Sequence, residues 1–256
     1  MFGKLLKQEF KSVGKWYLGL YGLSIVFAII LGFWVSHMSQ ATDSDSFIAI
    51  MLTILTFTSF GAIIAALGLS TLVLIIRRFK DNIYGRQGYL TMTLPATTHQ
   101  ILLSKLTAAI IWYFLSILTV GLSIFIIVLI NIGWTDLLTG LKEIWVNADF
   151  QMIFKEVFVG NLTPYIISFL IGTVGNVLML YCAIALGHLA ESHRVLLSFV
   201  AFFVIYAILS TMAMLVLNRT GITEHYYWFT SAFNIVFCLI TYFATHYMIK
   251  YKLNIQ

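Results

Sequence analysis

Six long stretches of this 256-residue chain carry no Asp, Glu, Lys or Arg: 16–42, 46–76, 106–135, 157–190, 195–218 and 225–249, each of at least 24 residues. A helix that crosses the ~30 Å hydrocarbon layer needs about 20 apolar residues. Hydrocarbon offers no partner for backbone N–H and C=O groups, so each run predicts a helix closed on its own hydrogen bonds. The expected spans are about 16–38, 47–76, 102–132, 162–189, 195–217 and 227–249. Barrel strands would show alternation over about ten residues, and these runs do not. Thirty residues at ~1.5 Å each exceed the hydrocarbon thickness, so the second helix tilts or its last turns emerge.

The stretches between the runs are patterned as well. Phe2, Leu5, Leu6, Phe10, Val13 and Tyr17 recur every three or four residues, with Lys4, Lys7, Lys11 and Lys15 on the remaining face. That spacing predicts an amphipathic helix over 2–15 lying in the membrane interface, lysines toward anionic headgroups. The plainer reading is a positive flank that only orients the first span. Residues 36–47 make a short acidic loop. Residues 77–84 are compatible with helix, Gly85 and Gly88 are breakers, and 89–95 form an extended or tightly turned piece closed by Pro95. Thr97 stands three residues before Gln100, a capping-box spacing that starts a helix from Thr98 to Ile132.

Two apolar faces follow in 133–161. One holds Leu137, Leu138, Leu141, Ile144 and Trp145; the other holds Phe150, Ile153, Phe154, Val157 and Phe158. They predict two short amphipathic helices, broken near 147–149, that rest on the outer membrane surface or cover the top of the spans. The turn at 188–196 is tight and polar.

Composition agrees with this class. Hydrophobic residues make up 61% and charged residues 10%, against about 45–50% and 25% in a soluble domain. The net charge of +5 follows the membrane and predicts no nucleic-acid partner. With both termini cytoplasmic, twelve Lys and Arg residues fall inside, and only Lys142, Lys155 and Arg219 fall outside. This matches the tendency of short basic loops to remain in the cytoplasm. Seven of the ten acids fall outside, including Asp43, Asp45, Asp136 and Glu156. Tyr165, Tyr226, Tyr227 and Trp228 open spans at the outer interface, where aromatic belts sit. The first run is longer than the apolar core of a signal peptide, about 7–15 residues, so an uncleaved span is expected. Cys182 and Cys238 lie in apolar runs, where a free thiol packs as a small hydrophobe. The whole chain, 1–256, reads as one all-α membrane domain.

Much familiar chemistry is missing. No run holds an Asp, Glu, Lys or Arg, the histidines sit near span ends or in loops, and mid-membrane charges mark ion paths, proton relays and voltage sensors. That disfavours an ion-driven carrier or channel. The sequence contains no HExxH, GxSxG or GxxxxGK[ST] pattern, so no catalytic, metal or cofactor-binding residues are expected, and energy for uphill transport would come from another chain. Glu191, His193 and Arg194 are explained most simply as a charged turn. The scattered methionines read as packing. Asn176 and Asn234 are polar residues deep in their runs; they suit interhelical hydrogen bonding or the lining of a path.

The segment "FKDNIYGRQGYLTMTLPATTHQILLSKL", residues 79–106, resembles the cytoplasmic link between the second and third spans of type-2 ABC exporter permeases from Gram-positive bacteria. The resemblance rests on Gly-Tyr-Leu-Thr-x-Thr-Leu-Pro at Gly88 to Pro95 and Leu-Leu-Ser-Lys-Leu at Leu102 to Leu106. It implies a coupling segment that docks on a separate ATP-binding subunit, formed by Arg78, Lys80, Asp81, Gly85, Arg86, Gly88, Tyr89, Leu90, Thr91, Leu94 and Pro95. It also implies a second, smaller contact at Glu191, His193 and Arg194, and an elbow helix at 2–15. Arg77, Arg78, Lys80 and Arg86 would pair with acids of the ATPase or hold lipid phosphates. Such permeases work as two membrane chains, identical or related, with two ATP-binding subunits that carry the ATP and Mg. The implied setting is a bacterial plasma membrane, crossed several times, and the implied cargo is an amphipathic or hydrophobic compound, foremost a peptide such as a bacteriocin, lantibiotic or toxin. A non-exporting sensor or immunity subunit that binds such compounds is the alternative.

Overall fold

Long apolar runs bounded by charge leave the backbone one economical way to satisfy itself, and the computed structural model is helical throughout its described part. It describes residues 2–41, 47–85, 88, 96–153, 155, 160–190, 192–220 and 226–252. Eight helices occur among them, and no strand: α1 Phe2–Ala41, α2 Phe47–Ile83, α3 Thr98–Ile132, α4 Trp134–Val146, α5 Ala148–Ile153, α6 Gly160–Gly187, α7 Arg194–Thr220 and α8 Tyr226–Tyr251. Six of them (α1, α2, α3, α6, α7 and α8) are long and apolar enough to cross a membrane. The chain is thus a multi-pass membrane protein by its helices.

The element ends follow local chemistry. The amphipathic stretch 2–15 and the first span form one continuous helix, α1. Nothing at 14–17 interrupts the ladder, because Gly14 alone only weakens a helix and the aromatic pair Trp16 and Tyr17 continues it. At the start of α3 the Thr97 N–H donates to Gln100 Oε1 at 3.4 Å and the Gln100 N–H donates to Thr97 Oγ1 at 3.3 Å. This is the reciprocal capping the spacing predicts. Asn147 separates α4 from α5 and receives the Phe150 N–H on its Oδ1 at 3.4 Å. Of the second expected amphipathic face, Phe150 and Ile153 belong to α5, while Phe154, Val157 and Phe158 lie outside the described residues.

Two compact units divide the chain. The first comprises Met1–Glu9, Ile75–Ile110 and Phe154–Gln256. Within it α6 packs against α7 and α8, and its core gathers Phe79, Ile83, Leu102, Leu178 and Tyr181. The Phe79 and Tyr181 rings stack at 3.9 Å, and the Tyr181 hydroxyl donates to the Lys105 carbonyl at 3.2 Å. Tyr165 of α6 meets Tyr227 of α8 edge-on at 5.5 Å, so two expected belt residues stand side by side.

The second unit comprises Phe10–Leu74 and Ile111–Ile153. Its core holds Tyr17, Tyr21, Leu67 and Trp112. Tyr17 stacks on Trp112 at 4.2 Å. The Tyr21 hydroxyl lies 2.9 Å from Ser116 Oγ and donates to the Trp112 carbonyl at 3.0 Å. Helix α4 buries no side chain, as suits a helix that rests on a surface.

Candidate functional site: a rigid root and a basic basin

Helix α2 ends where its sequence turns small and polar. The Tyr84 and Gly85 N–H groups both reach back to the Lys80 carbonyl, at 2.8 and 3.1 Å. A Cβ at Gly85 would sit 2.6 Å from the Asp81 carbonyl oxygen, and one at Gly88 would run into the Ile83 carbonyl. Only glycine lets the chain fold this closely over the helix end. Gly88 is buried.

The two ends of the α2–α3 connection are rooted on an ion cluster. Glu9, on the first turns of α1, accepts from Arg78 Nε at 2.9 Å and from Lys105 Nζ at 2.7 Å. Asn82 Nδ2 adds a bond to the same carboxylate at 3.3 Å. The Lys105 side chain is only 4% exposed and that of Glu9 12%. Charges so far out of water persist only when paired and hydrogen-bonded, so Glu9 fastens α1 to the end of α2 and the start of α3. Arg77 instead pairs with Asp81 one turn on, at 3.4 Å, on an exposed face. At the α3 side, His99 Nδ1 shares a 2.9 Å hydrogen bond with the Tyr242 hydroxyl, and its ring stacks on His246 at 3.7 Å. Helix α8 thereby supports the first turn of α3.

Beside this root lies an open basin of about 790 Å³. Lys80 and Tyr84 enter it from the end of α2, and His188, His193 and Arg194 enter it from the α6–α7 turn. The fold therefore brings together residues of both stretches singled out in the sequence. The turn is tightly built. A Cβ at Gly187 would sit 2.6 Å from the Arg194 carbonyl oxygen and would also run into Ser198. His193 takes φ 53°, the only positive φ outside glycine among the described residues, and its carbonyl accepts the Leu197 N–H at 3.0 Å to open α7. Arg194 Nε donates to the Ala190 carbonyl at 3.1 Å. The His188 ring hydrogen-bonds the Ile184 carbonyl through Nδ1 at 2.8 Å and stacks against Tyr84 at 4.3 Å. Burial, and secondarily the neighbouring Cys182, pushes the Tyr84 phenol well above its ordinary range, so it stays neutral.

The other expected residues fall as follows. Arg78 is engaged by Glu9, Asp81 by Arg77, and Lys80 faces the basin. Arg86, Tyr89, Leu90, Thr91, Leu94, Pro95 and Glu191 lie outside the described residues. Asn176 is exposed on α6, whereas Asn234 is half-buried on α8 with its amide facing Gly172. Glu9 escaped the sequence reading, although it is the single acid among the four lysines of residues 1–17. No cluster of three or more metal-ligating side chains occurs among the described residues. Comparison of the chain with protein-family models, with curated proteins and with solved structures finds no match.

Proposed function

We propose that this chain is the membrane permease subunit of an ATP-driven exporter in a bacterial plasma membrane. In this reading two permease chains, identical or related, work with two ATP-binding subunits that supply ATP and Mg. The cargo is amphipathic or hydrophobic, foremost a peptide. The observation that carries the reading is the root of the α2–α3 connection. A segment that receives force from a soluble partner must stand on something that does not yield, and here both of its ends are held by Glu9 and packed against the Phe79–Tyr181 core. The resemblance of residues 79–106 to a coupling segment assigns the partner. Displacement of that segment would pass to α1, α2 and α3 together, because one buried carboxylate ties all three, and a rigid network is how such motion is carried without dissipating in the lever itself.

Co-purification tests it. The chain is expressed together with the products of its neighbouring genes, captured in detergent and assayed for ATP turnover, in parallel with Leu94→Asp. An ATPase that arrives with the native chain and not with the variant is the expected result. If none arrives with either, the exporter reading falls.

A further inference from the structure

We propose that the basin between the end of α2 and the α6–α7 turn binds the headgroup of an anionic phospholipid, with the acyl chains lying along α7. Its two walls differ in chemistry. Lys80 and Arg194 bring fixed positive charge, and His188 and His193 stand with them. Among the described residues, the remaining wall is Val195, Leu196 and Phe199, which are 51%, 62% and 61% exposed. A charged end continuous with an apolar face matches an amphiphile. Basic pockets at the ends of membrane helices hold phosphate headgroups in this way.

The apolar wall also decides which anion fits. It is the first two turns of a span, and from Arg194 to Val216 none of α7's side chains is buried within the chain. The helix therefore keeps an apolar face open along its length on the side away from α6. A free inorganic anion would leave Leu196 and Phe199 uncovered, and an acidic protein segment would have to enter at the edge of the hydrocarbon. A lipid satisfies both walls at once. The basin is also built before any ligand arrives: Gly187 fixes the α6–α7 approach, Arg194 is anchored on Ala190, and His188 is held between Ile184 and Tyr84. The neutral Tyr84 phenol adds a hydroxyl of the kind a phosphate oxygen accepts from. The inference does not depend on the exporter reading, since it concerns this chain and lipid alone.

The test uses the purified, delipidated chain without any ATPase. Thermal unfolding and native mass spectrometry are run with dioleoylphosphatidylglycerol, dioleoylphosphatidylcholine, sodium phosphate or a glutamate-rich peptide. Phosphatidylglycerol is expected to raise the unfolding temperature more than phosphatidylcholine, and phosphate and peptide to do nothing. In Lys80→Gln/Arg194→Gln the affinity for phosphatidylglycerol should fall about thirtyfold for two lost charges, while Lys80→Arg/Arg194→Lys should retain it. Should the neutral double variant not fold, Leu196→benzoylphenylalanine in the otherwise native chain decides: photo-crosslinking to phosphatidylglycerol above phosphatidylcholine supports the site. Equal response to the two lipids, equal crosslinking, or an unchanged preference in the neutral variant overturns it. Protection by phosphate or by the peptide as strong as by phosphatidylglycerol overturns it too, the first as an ion site only and the second as a protein contact.

Discussion

Helices α1, α2 and α3 are fastened together twice, by opposite chemistries. In one unit the fastening is ionic, with Glu9, Arg78 and Lys105. In the other it is neutral: the Tyr21, Ser116 and Thr71 hydroxyls join, with 2.9 Å between Thr71 Oγ1 and Ser116 Oγ, and Tyr17 stacks on Trp112. Their places in the sequence explain the difference. Arg78 and Lys105 lie within two residues of a charge-free run and Glu9 seven residues before one, whereas Tyr17, Tyr21, Thr71, Trp112 and Ser116 all lie inside them. Within a hydrocarbon-facing run an ion is expensive, so helices are joined there by hydroxyls, rings and small residues. At the ends of the runs an ion cluster is tolerated, and it offers a stronger, less forgiving link.

That contrast can be broken experimentally. Glu9→Ala should have the largest effect, about 3–5 kcal/mol, because it leaves Lys105 buried without its carboxylate. Unfolding in detergent by heat or SDS titration measures it. Glu9→Leu combined with Lys105→Met should recover much of the loss, since an apolar pair of similar volume is often neutral. A loss below ~1 kcal/mol for Glu9→Ala would mean that the cluster behaves as a surface pair.

Next in size is Gly187→Ala, expected to lose about 1–3 kcal/mol by overpacking the α6–α7 approach. Adding Ser198→Ala should not rescue it, because the Arg194 carbonyl at 2.6 Å is backbone and remains. Full rescue would show that the turn yields more than its geometry suggests.

On the neutral side, Tyr21→Phe removes the hydroxyl shared with Ser116 and Trp112 and should lose about 0.5–1.5 kcal/mol. Smallest of all is Gly32→Ala. Its Cβ meets Ile130 Cδ1 at 2.8 Å, the movable end of a side chain, and Ile130 Cβ at 3.2 Å, which needs a shift of only a few tenths of an ångström. The helix-propensity gain of ~0.5–1 kcal/mol should offset most of that contact, leaving the unfolding temperature nearly unchanged.

The spans are legible in the sequence, the site much less so. The charge-free runs locate all six long apolar helices, and the Thr97–Gln100 spacing locates the start of α3. Asn147 marks the break between α4 and α5 as its position suggests. Lys80, His193 and Arg194 are legible as interesting but not as neighbours of one basin, because 113 residues separate Lys80 from His193 and no periodicity spans such a distance. Arg78 reads as a cation for the ATPase or for lipid phosphates and Lys105 only as part of the Leu102–Leu106 stretch, yet both face one carboxylate.

By itself, then, the sequence determined where helices cross, since hydrocarbon penalises unpaired backbone and unpaired charge at every position independently. Local capping and breaking are likewise written within a few residues. Tertiary structure alone decided which charges are structural and which face the basin. That choice depends on which helix ends converge, and convergence is set by close packing among Phe79, Leu102, Leu178 and Tyr181, residues far apart along the chain whose contacts exist only once the helices have met.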